Sequence, residues 1–203
     1  MNAWDWVQGY IEPFCKEKDM AVRLSEKMPE GYETAFGSYD VTCNTLFLNS
    51  KLLRQAEQYE ALFYLYHELR HAEQYLHPER FGPEIQQSRQ YVILYNGICF
   101  KLVGGVWRQC VLQGEEAYFT DAYKSLPYEL DANDFAFRKV AEDLGVSAQL
   151  QKLYSFWVPK NRWKYQEYKK LFVRIDEALE GKVQDPFLFP KSFDSDTCSR
   201  RRL

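Results

Sequence analysis

The sequence has no run of about eighteen apolar residues, so it offers no stretch able to cross a bilayer as a helix. Nor does its N-terminus carry the basic-then-apolar layout of a secretion signal. A cytoplasmic protein with no membrane partner is the expectation. An excess of basic charge is missing too: 26 Lys and Arg stand against 29 Asp and Glu, a net charge of −3. Sequence-independent binding to nucleic acid therefore has no electrostatic basis, and the terminal Arg200-Arg201-Arg202 reads as a solvated cluster. The five cysteines, at 15, 43, 99, 110 and 198, are scattered, odd in number and without a C-x-x-C pair. This argues against a disulfide framework and against a cysteine zinc knuckle. Internal repeats and low-complexity tracts are also lacking.

What is present is a foldable chain, 46% hydrophobic and 17% aromatic over 203 residues. Histidine is scarce, three in all, yet two of the three lie in Tyr66-His67-Glu68-Leu69-Arg70-His71. On a helix, His67 and His71 fall roughly 40° apart and can grip one cation. The pattern is the H-E-x-x-H zinc signature, in which two neutral imidazoles hold Zn²⁺ and the glutamate after the first takes a proton from the attacking water. The same helix carries Leu62, Leu65, Leu69, Ala72 and Leu76 as an apolar stripe. Glu60, Tyr64, His67, Glu68, His71 and Tyr75 share the other side, where a cleft is expected.

The remaining elements read as an α+β protein. Trp4, Val7, Tyr10, Ile11 and Phe14 give a helix over 3–16, and β character follows at 20–24 and 39–48, with a turn near Asn44. The metal helix should start near Ser50 or Leu53 and end at His77-Pro78. Tyr91–Tyr95, Ile98–Val103 and Val106–Leu112 predict a three-stranded meander, turned at Asn96-Gly97 and Gly104-Gly105. Pro127 opens a helix to about Leu144, and two more helices follow at about 147–157 and 161–180, divided by Pro159. The segments expected are 1–38 (N-terminal helix and strand), 39–145 (core, with the meander 90–112 inserted), 146–182 (C-terminal helices) and 183–203, an extended and mobile tail. A strand just before the metal helix could pair its backbone with an extended peptide substrate.

A catalytic zinc takes three protein ligands. Glu129 is preferred as the third, 58 positions past His71 (129 − 71) and on a separate helix. Asp131 lies about 200° round that helix from Glu129, so the two cannot face one ion. His77 has metzincin histidine spacing, but Gln74 stands where a turn-forming glycine is needed, and no methionine follows the motif. Cys43 is a weaker rival, and the three alternatives stay open.

The run Glu129-Leu130-Asp131-Ala132-Asn133-Asp134-Phe135-Ala136 resembles the E-x-x-A-N-x-F-A segment that follows H-E-x-x-H in ImmA/IrrE-type metallopeptidases of bacteria, phages and other mobile elements. That resemblance covers the two motifs and the order of elements from about 39 to 143. It implies a minimal zincin-like, gluzincin-like domain, one zinc ion on His67, His71 and Glu129, and Glu68 as catalytic base. Asn133 stands where larger gluzincins have an aspartate. Its amide oxygen could accept an N–H from a ligand histidine.

The expected activity is thus zinc-dependent hydrolysis of a peptide or protein substrate. Tyr64, Arg70, Tyr75, Arg89 and Tyr128 are available as oxyanion donors. The competing expectation is a metal-stabilised binding or regulatory module without turnover. A weaker third is a non-peptide amidohydrolase. Glu68 favours the enzyme, because a purely structural metal has no need of a base beside it.

Overall fold

The computed structural model of the chain describes residues 3–181. The tail expected over 183–203 lies outside them. The described residues form two compact units, 3–81 with 131–157 and 82–130 with 158–181. The meander shares a core with the helices at 116–125 and 165–179. The fold is α+β, and no described helix is long and apolar enough to cross a membrane. Cys15, Cys99 and Cys110 are free thiols.

In the first unit α1 (Ala3–Glu17) leads to β1 (Arg23–Ser25), β2 (Gly37–Asp40) and β3 (Thr45–Leu48). β2 and β3 form the expected hairpin. Its turn is locked by Asp40, whose Oδ1 accepts from Thr42 N at 2.8 Å, and by Asn44 in the left-handed region at φ 47°. The sheet order is β1-β3-β2, with β1 parallel and β2 antiparallel to β3, so the sheet is mixed. Both β1 and β2 are edge strands.

The helix that carries His67 and His71 differs from expectation at its start. A one-turn α2 (Ser50–Leu53) comes first, and the long α3 runs Gln58–Leu76. Asn49 caps the start of α2. Its Oδ1 accepts from Leu52 N at 3.2 Å, while its Nδ2 donates to the carbonyls of Glu33 and Ala35, tying this turn to the loop before β2. The chain then passes through an extended Glu57 before α3 begins. Leu62, Leu65, Leu69 and Ala72 are fully buried as the stripe requires, in a core shared with Trp4, Val7, Leu46 and Leu48.

The second unit contains α4 (Pro83–Ser88), then the meander of β4 (Tyr91–Ile93), β5 (Ile98–Val103) and β6 (Val106–Val111), and α5 (Glu116–Ser125). The order β4-β5-β6 is antiparallel throughout. Gly104 and Gly105, at φ 59° and 79°, supply the two left-handed residues of the tight hairpin turn. At Gly97 a Cβ would lie 2.3 Å from the Leu112 carbonyl oxygen, so glycine is required there.

Helix α6 (Pro127–Leu144) opens on proline, and the buried Ser88 Oγ accepts from Tyr128 N at 3.2 Å. After α7 (Ala148–Trp157) comes α8 (Tyr165–Leu179), which packs Tyr168, Leu171, Phe172 and Ile175 into the core of the second unit. The helix expected from 161 begins at Tyr165. Glu167 Oε2 accepts from Lys164 N at 2.6 Å and fixes that start.

Candidate metal centre

One turn of α3 separates His67 from His71, and their Nε2 atoms approach to 2.9 Å with the rings near perpendicular at 88°. The first turn of α6 brings Glu129 to them. One donor atom from each of the three residues lies within 4.8 Å of the other two. All three are buried, at 7%, 4% and 1% exposure, and Glu68 beside them is 5% exposed. On the histidine face of α3, then, His67, Glu68 and His71 are buried, while Glu60, Tyr64 and Tyr75 are half-buried.

The donor set suits a divalent cation with an affinity for nitrogen and oxygen, zinc foremost. Three such groups packed together away from water are costly without a positive charge among them, and a cation satisfies all three at once.

Several side chains hold the histidines and Glu68 in place. His71 Nδ1 meets Gln74 Oε1 at 2.9 Å. The Gln74 amide nitrogen donates to Asp131 Oδ2 at 2.9 Å. Asp131 in turn is gripped by Arg70 through Nε and Nη2, at 2.8 and 3.1 Å, and Arg70 Nη1 reaches Glu73 at 2.7 Å. The Arg70 guanidinium lies over the rings of Phe81 and Phe135, and its charged form is favoured by both carboxylates against the cost of burial. Trp157 stacks 6.5 Å from the His67 ring and stands edge-on to Tyr64, which itself stacks on Phe36 at 4.3 Å. Burial pushes the Tyr64 hydroxyl up to about 12; Glu60 adds to this and a hydrogen bond with Trp157 opposes it. At the start of β2, Gly37 approaches Glu68 so closely that a Cβ there would lie 2.9 Å from Glu68 Cγ.

The structure thus brings together His67, His71 and Glu129, with Glu68 adjacent. The rivals go elsewhere. Asp131 is committed to Arg70 and Gln74, His77 Nε2 meets the Asp19 carbonyl at 2.9 Å, and Cys43 Sγ lies by the Asp40 carbonyl in the β2–β3 turn. Asn133 is buried at 3% exposure, and its Oδ1 has no hydrogen-bond partner among the described residues. The hydrogen bond expected of Asn133 comes to His71 from Gln74 instead. Among the oxyanion candidates, Arg70 is spent on its two carboxylates. Sequence reading missed Gln74 as a partner, though its position three residues after His71 puts both on one helix face.

Compared with known proteins, the chain matches no family model, no curated protein and no solved structure.

Proposed function

We propose that the chain is a zinc-dependent metallopeptidase, of the gluzincin-like kind that the ImmA/IrrE resemblance suggests. The observation that carries this reading is the buried convergence of His67, His71 and Glu129 with Glu68 directly beside it. A zinc ion held there would act as a Lewis acid towards a peptide carbonyl and acidify the attacking water. His67 and His71 would hold it through Nε2, and Glu129 through a carboxylate oxygen. Glu68 takes the proton from the water on its carboxylate and returns it to the leaving amine. Edge strand β2 runs past Glu68 at Gly37, so its backbone can align an extended peptide over that carboxylate.

The burial of the group keeps a second reading in play, a metal-stabilised binding module without turnover, although three protein ligands leave free the fourth position that a structural zinc site fills. Two measurements decide. Metal analysis should give one zinc per wild-type chain and a loss of it in Glu129→Ala; unchanged stoichiometry in the variant overturns the ligand set. Mass-spectrometric screening of a peptide library should show cleavage by the zinc-loaded wild type and none by Glu68→Gln with its zinc retained. Equal products from both, or from neither, remove the peptidase reading.

A further inference from the structure

Gln74 is fully buried, and both ends of its amide are engaged. We propose that Gln74, oriented by Asp131 and Arg70, is the positioning residue that sets the tautomer and ring direction of His71 for metal binding. This rests on the metal-binding part of the reading above and not on peptide hydrolysis.

Arg70 can only donate, and it gives two N–H groups to the two oxygens of Asp131. Asp131 Oδ2 is thereby an acceptor, so the Gln74 atom 2.9 Å away must be the amide nitrogen. That choice leaves Oε1 facing His71. An amide oxygen cannot donate, so His71 Nδ1 must carry the proton it shares at 2.9 Å. In a neutral imidazole Nε2 is then the bare nitrogen, and Nε2 is the atom aimed at His67 and the Glu129 group. Each link removes one ambiguity: the arginine fixes the carboxylate, the carboxylate fixes the amide, and the amide fixes the ring. A ligand histidine whose other nitrogen is bound in this way is a better and better-aimed donor. Packing alone does not account for Gln74, because an apolar side chain of its length would fill the same space.

The test measures zinc affinity by competition with a chromophoric chelator, and the Co²⁺ absorption spectrum, on the full chain. Gln74→Met keeps the volume and removes the relay; zinc binding should weaken about 10–100-fold with an altered Co²⁺ spectrum, while the metal-free melt stays near wild type. Asp131→Asn should also weaken binding, since an amide at 131 can present a donor to Gln74 and turn its nitrogen towards His71. The combined Gln74→Glu/Asp131→Asn variant restores the inner link in reverse, at the loss of one Arg70 bond because the amide nitrogen at 131 cannot accept: the carboxylate at 74 accepts from His71 Nδ1 and from that amide. It should bind zinc within a few-fold of wild type. Affinity within twofold of wild type in Gln74→Met overturns the proposal, as does a combined variant no better than Asp131→Asn alone. The second comparison decides the matter even where Gln74→Met does not fold. A wild-type chain that takes up no zinc sinks the metal centre and this proposal together, whereas normal uptake indifferent to position 74 sinks this proposal alone.

Discussion

Replacing Arg70 by methionine removes a charge and leaves most of the stem in place. The guanidinium makes three hydrogen bonds, two to Asp131 and one to Glu73, from between two aromatic rings. The side chains of Arg70, Asp131 and Glu73 are 17%, 18% and 5% exposed, so the fork sits between the surface and the fully buried limits. Exposed pairs contribute about 0–1 kcal/mol, and breaking a buried pair costs about 3–5 kcal/mol. Glu73 keeps Arg80 at 3.6 Å and Asp131 keeps Gln74, which softens the loss. The expected destabilisation is therefore about 2–4 kcal/mol, and with a shift of about 2–4 °C per kcal/mol for a chain of this size, a fall in Tm of about 4–16 °C. Circular dichroism melts of metal-free protein measure it. Arg70→Lys should fall between the two, since lysine keeps the charge and loses the fork. Adding Asp131→Asn to Arg70→Met should recover part of the loss, because the second change removes the stranded carboxylate. A melt of Arg70→Met within about 1 °C of wild type would show that desolvation already cancels the whole fork, and the reasoning would fail.

Two further outcomes are expected. Gly37→Ala places a methyl 2.9 Å from Glu68 Cγ and 3.2 Å from Leu48 Cδ2, so the Glu68 side chain must shift. Turnover of a library-derived peptide should drop by about 10–100-fold at unchanged zinc affinity, and undiminished turnover would show that Glu68 has room to spare. Tyr64 and Tyr168 are both pushed up to about 12, chiefly by burial, so each holds its proton more tightly folded than unfolded. Their contribution to stability is whole below about pH 10 and is lost as the pH rises through about 12. The urea midpoint should fall across that window, and a flat midpoint would contradict the burial of these hydroxyls.

The parts of the fold that were legible are those set by nearby residues. The α3 stripe follows from spacing alone, and Gly104-Gly105 turns its hairpin because no other residue type adopts two successive left-handed conformations cheaply. What stayed hidden is set at a distance. The residues between α2 and α3, Arg54-Gln55-Ala56-Glu57, are all good helix formers, and nothing in them announces a break. Nor do they show that the turn before them is anchored through Asn49 to carbonyls 14 and 16 residues earlier. α5 was missed for a related reason. Only Phe119 and Ala122 of its apolar side chains are deeply buried, too few to draw a stripe. The parallel pairing of β1 with β3 is likewise absent from either strand read by itself, since direction is fixed by the path of the chain between them.

The candidate site divides along the same line, with one instructive exception. His67, Glu68 and His71 are read from a single helical turn, and the angular argument that separated Glu129 from Asp131 matches where the two side chains go. Gln74 was weighed only for the glycine it replaces, and Asp131 only as a ligand. Yet the angle that turns Asp131 away from His67, His71 and Glu129 turns it towards Arg70 and Gln74 of α3. An amide at zero exposure must find partners for both its ends. On the helix face of a ligand histidine, three residues on, one of those ends can hardly avoid the ring. A buried glutamine following H-E-x-x-H at that spacing is therefore a signal in its own right, because local geometry supplies the histidine and only the carboxylate that orients the amide has to come from elsewhere in the chain.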